Sequence, residues 1–295
     1  MQNKEAKNFA KQKKHFVEKM SKVEKPGTTK LILIVVANTL DDTIGKGCAL
    51  DVKTVRSTIH HLVSEMEFSL VELIIDGYYY SNENVLSAIE LLKPGNDDIV
   101  VFYYTGHGFR FQKEKQLKPP QIDLQSSPAT NKIDDINKTT KNLHEIFDMI
   151  KTKGARLNIV IGDCCNDDIN FTRKFNKRDK NGLDEKDHKP AINKDTCKEM
   201  FCTSSSSMLV AAADEGLLAI VDDGVGSIFT TKFTDNLKKK LASPLANKNE
   251  MHWEELLEKI KEETFHYSKQ FDLPDGSPGN QKAFFVIESK PSVKY

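Results

Sequence analysis

Six runs of consecutive apolar residues punctuate the chain: LILIVVA (31–37), VELII (71–75), DIVVFYYT (98–105), LNIVIGD (157–163), SMLVAAA (207–213) and AFFVIE (283–288). A run that is apolar at odd and even positions alike predicts a strand covered on both faces, as in a parallel sheet. Between the runs, at roughly 48–66, 82–92, 139–153, 228–241 and 252–266, apolar residues recur at spacings of three and four, which predicts helices. Strand and helix therefore alternate. That order predicts an α/β fold, a doubly wound and mostly parallel sheet of about six strands with helices on both faces. Its functional residues belong at the carboxyl ends of the strands.

Two stretches break the alternation. Residues 108–138 contain three prolines, and 166–206 are polar, charged and run into the four serines 204–207. Loops of that length are usually functional or without fixed structure. Residues 1–29 are polar, but Phe9, Phe16, Val17 and Met20 share one helical face, so the segment reads either as an appended helix or as a solvated tail.

Composition narrows the class. With 295 residues, 38% of them hydrophobic, the chain is long enough for one large domain. Lys and Arg total 43 and so do Asp and Glu, so no net field draws it to nucleic acid or to an anionic membrane. No apolar run approaches the roughly 20 residues that cross a bilayer, and the lysine-rich start lacks the apolar core of a secretory signal, so the expectation is a soluble, cytoplasmic protein. Five cysteines (48, 164, 165, 197 and 202) are too sparse and too few for a disulfide framework, and their spacing suits no zinc site.

Two strand ends carry reactive side chains. The run DIVVFYYT passes into Gly106-His107-Gly108, where flanking glycines let the backbone turn sharply beside an exposed imidazole. A single loop histidine is more often incidental, and only its setting raises it. The run LNIVIGD passes into Cys164-Cys165-Asn166. Alternation puts Asp163 and Cys165 on one side and Cys164 on the other, where it reads as a small buried packing residue. A thiol attacks a carbonyl as thiolate, and its ordinary pKa near ~8.5 leaves little thiolate at neutral pH, so a neighbouring imidazole is the natural partner. His107 lies on a different strand end, 58 positions before Cys165, so the two meet only in the fold.

YYTGHG and IGDCCN resemble the histidine and cysteine motifs of the metacaspases, in the caspase clan of cysteine peptidases. Thr105 stands at the usual serine position, Asp163 at the aspartate, Cys165 at the nucleophile, and Asn166 where metacaspases have a histidine. IGKGCALDV resembles the segment that places Cys48 and Asp51, and GVGSIFTTKF resembles the opening of the clan's last large helix. The likeness covers about residues 30–290 and implies the caspase–haemoglobinase fold. It implies a large-subunit-like part (30–170), a linker (171–206) and a small-subunit-like part (207–295), after an N-terminal extension (1–29).

The resemblance also implies an activity: cysteine endopeptidase, with His107 and Cys165 as the catalytic pair and the backbone N–H groups of Gly108 and Cys165 as oxyanion donors. Asp51, Asp163, Thr105 and Cys48 would line the pocket for the residue before the scissile bond, implying Arg or Lys there, since two carboxylates favour a cation. Asp51 can equally be read as a helix-start acid favoured by the helix dipole. Substrate backbone is expected along 207–214. The basic stretch 172–180, with Arg173, Lys174, Lys177 and Arg178, reads as a self-cleavage region within 171–189 or as a solvated loop.

The chemistry needs no cofactor, and the expected partners are protein or peptide substrates met by a monomer. The acidic stretch that contributes to calcium activation in many metacaspases is missing after His107. The pairs Asp134-Asp135, Asp167-Asp168 and Asp222-Asp223 are left as hard-oxygen groups on loops, where such pairs are usually just solvated, and the metal question stays open. The rival readings are a catalytically silent scaffold of the same fold, a nucleotide-binding domain, which fares worse because no phosphate-binding glycine loop follows the first strand of this chain, and a separase-, legumain- or clostripain-like peptidase.

Overall fold

The computed structural model describes residues 2–22, 28–111, 118–125, 136, 138–168, 176–177, 190–222, 224–245, 252–273 and 275–289, with only the backbone at 2–7 and 176–177. All six apolar runs are strands of one sheet: β1 (Lys30–Ala37), β2 (Ser69–Asp76), β3 (Ile99–Thr105), β4 (Leu157–Asp163), β5 (Ser206–Ala211) and β6 (Phe284–Ser289). Their spatial order is β6-β5-β4-β3-β1-β2, parallel throughout except for β6, which runs antiparallel to β5. Connecting and flanking them are α1 (Gln2–Ser21), α2 (Gly45–Met66), α3 (Asn82–Glu90), α4 (Leu143–Lys151), α5 (Ile228–Ala242) and α6 (His252–Ser268).

Alternation along each strand builds two cores. Leu31, Leu33, Val35, Ile99, Val101 and Tyr103 face α2, α5 and α6, whereas Ile32, Ile34, Val36, Val100, Phe102 and Tyr104 face α1, α3 and α4. Both faces are dry, which is why the strands read as unbroken apolar runs.

The N-terminal segment is the helix of the two alternatives. Phe9, Phe16 and Met20 are buried in the second core, and the Phe9 ring stacks on Tyr79 with centroids 4.5 Å apart. Val17 is exposed instead, because at ~100° per residue it sits about 80° around the helix from Phe9 while Phe16 and Met20 stay within about 20° of it.

The helix expected over 139–153 begins only at Leu143. Asn142 caps it, its side chain accepting from the His144 N–H at 2.8 Å, and residues 140–142 form a short strand beside Gln121–Asp123. That strand belongs to a small three-stranded sheet with Gly108–Phe109, which braces the turn leaving β3.

Strand order reverses at β1, with β2 on one side and β3 on the other. The carboxyl edge between β1 and β3 is thus the switch point where a doubly wound sheet opens a crevice.

Candidate active site

In register, Thr105 at the end of β3 stands opposite Asp163 at the end of β4. His107 and Cys165 each lie two residues beyond that pair, so the fold brings them to neighbouring strand ends. The Gly106 N–H donates to the Asp163 carbonyl at 3.3 Å, extending the pairing into the turn. Gly108 is pressed against the cysteine turn. A Cβ there would lie 2.4 Å from Cys164 Sγ and 2.6 Å from the Cys165 carbonyl oxygen, so only glycine permits the approach. Cys164 is buried on the opposite side from Cys165, as alternation predicts.

The histidine turn is held from behind. The Tyr104 hydroxyl and the Asp123 N–H lie 2.6 Å and 3.0 Å from the His107 carbonyl oxygen, and Tyr80 joins the same buried hydroxyl group through Tyr104 at 2.9 Å. In front, His107 Nε2 lies 3.0 Å from Asp41 Oδ2. Sequence reasoning missed Asp41. Its signal was its place directly after β1, at the carboxyl edge, but an acid there also suits a helix start.

Cys165 is half-buried. Its sulfur receives the Ala219 N–H at 3.3 Å and lies 3.6 Å from the Ala219 carbonyl. The neighbouring Asn166 is wholly buried, with its N–H on the Leu217 carbonyl at 2.9 Å and its side-chain amide on the carbonyls of Lys118 and Ala213. Asn166 therefore ties the cysteine turn to the segment that follows β5. That segment, and not 207–214, is the backbone beside the sulfur. Residues 206–211 are paired on both edges, by β4 and β6, and the Asp214 N–H is taken by the Lys282 carbonyl, so the expected substrate lane is already filled by the protein's own strands.

Asp51, Asp163, Thr105 and Cys48 do converge. The Thr105 hydroxyl donates to Asp51 Oδ2 at 2.9 Å and lies 3.5 Å from Cys48 Sγ. Asp51 Oδ1 accepts the Ser227 N–H at 2.7 Å, and Asp163 Oδ2 accepts the Thr230 hydroxyl at 2.6 Å. Asp163 Oδ1 is buried with no hydrogen-bond partner among the described residues. Exposure is only 1% for Asp51 and 3% for Asp163, so two carboxyls share a space with almost no water.

Burial pushes both up, and the charge of Asp163 adds to the effect on Asp51. Asp163 rises to about 6 despite the nearby Ser227 and Thr230 hydroxyls, while Asp51 is raised well above the carboxylate range despite Ser227 and Thr105. Burial also pushes the Cys48 thiol up, so Cys48 is a neutral wall.

The hairpin Val221–Asp222/Gly226–Ser227 roofs this pair. Gly226 has φ +94°, and a Cβ on it would fall 2.4 Å from Asp51 Oδ1. Gly226→Ala is therefore expected to lower stability by about 2 kcal/mol or more, from left-handed strain and a displaced carboxyl, read by chemical denaturation.

Among the described residues no group of three or more His, Cys, Asp or Glu side chains is placed to hold a metal ion, and Asp134, Asp135 and Asp223 lie outside them. No helix among them is long and apolar enough to cross a membrane. Except for the backbone of 176–177, which pairs with Phe271–Asp272, the 171–189 stretch also lies outside the described residues.

The protein is thus an α/β protein with a doubly wound sheet, whose histidine and cysteine turns abut at neighbouring strand ends. The family model described as "Caspase domain" matches residues 29–281, and the chain belongs to that family of cysteine-type peptidases, whose substrates are proteins. Among solved structures it is similar to caspase-1 from Spodoptera frugiperda, at 10% identity over 90% of this chain and 94% of that one, with a TM-score of 0.49. No curated protein matches it in sequence.

Proposed function

We propose that the chain is an endopeptidase that cleaves after Arg or Lys through His107 and Cys165. The observation that carries this reading is the buried Asp51–Asp163 pair next to the nucleophile turn. Two carboxyls held out of water, one with an unpartnered oxygen, are poorly solvated until a cation arrives. A guanidinium or ammonium brings the donors that the pair lacks and holds both groups ionised.

The Cys165 thiolate attacks the carbonyl carbon of the basic residue itself. The tetrahedral oxyanion is held by the N–H groups of Gly108 and Cys165, a pairing supported by the close approach of the two turns. His107 protonates the leaving amine, and water then hydrolyses the thioester. Because the 221–227 hairpin covers the acid pair, substrate access includes a shift of that hairpin away from Asp51.

The enzyme works as a monomer on protein substrates, and its own 171–189 stretch offers Arg173, Lys174, Lys177 and Arg178 as places for self-cleavage. Calcium activation is tested in the same assay. Matched fluorogenic peptides ending in Arg, Lys or Asp are compared with and without millimolar calcium. Cleavage after Arg or Lys at least about 100-fold above Asp is expected, the size of effect that follows from about 3 kcal/mol of charge discrimination. Equal or better cleavage after Asp would sink the reading.

A further inference from the structure

We infer that Asp41 is the positioning residue of His107, fixing the tautomer and the orientation of the imidazole; this rests on the thiol-peptidase reading above. The three groups sit in line. Asp41 follows β1, His107 follows β3 and Cys165 follows β4, and these strands are consecutive in the sheet, so acid, imidazole and thiol are spaced along one carboxyl edge with the imidazole between.

The Asp41 carboxylate is anchored before it meets the ring. Its Oδ1 accepts the Thr43 N–H at 2.8 Å, the Thr43 hydroxyl at 2.5 Å and the Ile44 N–H at 3.0 Å, leaving Oδ2 for His107 Nε2 at 3.0 Å. With three donors on one oxygen the group has little freedom to turn. Burial opposes its charge, but the hydrogen bonds from His107 and Thr43 outweigh burial and hold it well below the usual carboxylate range.

A carboxylate only accepts, so Nε2 must carry the hydrogen, and the lone pair is left on Nδ1. Nδ1 is thus the nitrogen that takes the thiol proton and later gives it to the leaving amine, while Asp41 stabilises the imidazolium formed between those steps. Among the described residues Asp123 is a second carboxyl whose charge interacts with His107, and its Oδ1 is engaged by the Gln125 N–H at 3.0 Å. Asp41 also opens the turn into α2, the helix that carries Cys48 and Asp51, so the orientation of the histidine and the placement of the pocket acid share one anchor.

Asp41→Asn tests this, because the amide oxygen can still accept from Thr43 and Ile44 while the charge is gone. Two readouts are taken. The first is turnover of a peptide amide against that of an activated ester of the same acyl group. The second is the rate at which iodoacetamide alkylates Cys165 as pH rises, followed at that residue by mass spectrometry.

Assayed at a pH above the alkylation limbs of both proteins, the amide kcat should fall about 100-fold with KM within about two-fold, and the ester, which needs little protonation of its leaving group, should lose under about five-fold. The alkylation limb should move up by about one pH unit, since a less stable imidazolium supports less thiolate. In a His107→Ala background the substitution should add no further loss.

A wild-type alkylation profile in Asp41→Asn would overturn the inference. So would an equal loss in the His107→Ala background, because Asp41 would then act only as a helix anchor. A wild-type protein that cuts no peptide, yet shows the Asp41-dependent alkylation limb, would remove the peptidase reading and leave the role of Asp41 standing.

Discussion

Cys165→Ala is expected to lower kcat/KM on Arg and Lys peptides by at least about 1,000-fold while leaving the fold intact. The magnitude follows from the chemistry. Without the thiolate there is no acyl intermediate, and only binding and oxyanion contacts remain. Stability should change by less than about 1 kcal/mol, because the side chain is only half-buried at the edge of the core and its sulfur hydrogen bonds are to the Ala219 backbone. The control is Cys164→Ala, which removes a buried sulfur from the opposite core. That variant should lose about 1 kcal/mol of stability and keep most of its activity. The two adjacent cysteines are thus expected to separate cleanly: one sets rate, the other packing. If Cys164→Ala were the inactive variant, the assignment of the nucleophile would be wrong.

The second large effect is expected at the acid pair, and it runs in two directions. Asp163→Asn should reduce kcat/KM after Arg by about 100-fold or more, because a cation entering the pocket would lose one of its two charge partners. The same substitution should make the free protein more stable near pH 7.5, by roughly 1–3 kcal/mol, since it removes a charge held against burial.

The sign is fixed by the raised pKa. In the folded state Asp163 titrates at about 6, against an ordinary value of 3.8, so the native protein binds the proton more tightly. The contribution of Asp163 to wild-type stability therefore falls as pH rises between about 4 and 6, and the advantage of the variant should fade as pH is lowered towards 4. Asp41 acts the other way: its lowered pKa contributes stability above about pH 4 that is lost on acidification. Urea melts of both proteins from pH 4 to 8 measure the difference. A variant no more stable than wild type at pH 7.5 would mean that the pair is already neutral or screened, and the argument for a cation-hungry pocket would fail.

The fold was legible in the chain because burial on both faces leaves an unmistakable mark. Each of the six apolar runs became a strand, and the five helical segments were found to within a few residues. Where boundaries moved, a side chain acted that periodicity does not weigh. Asn142 capped α4 late, and Asp41 opened the turn into α2 early. At the candidate site, Thr105, His107, Asp163 and Cys165 were legible as candidates because they lie at or just beyond the ends of apolar strands, where a doubly wound sheet exposes side chains, and the fold places those ends side by side.

Asp41, Ala219, Ser227 and Thr230 were not found. Two of them act through backbone N–H groups, which leave no trace in side-chain type, and the others are ordinary residues made relevant only by what they touch.

The sequence by itself determined the strands, their two-sided burial, the family likeness and the two reactive turns, since these depend on local periodicity and on residues adjacent in the chain. Tertiary structure alone decided that β1, β3 and β4 are neighbours, which aligns Asp41, His107 and Cys165. It alone closed the 221–227 hairpin over Asp51 and paired both edges of β5. Those facts depend on strand order and on contacts between segments as far apart as 176 residues in the case of Asp51 and Ser227, and no local pattern encodes them.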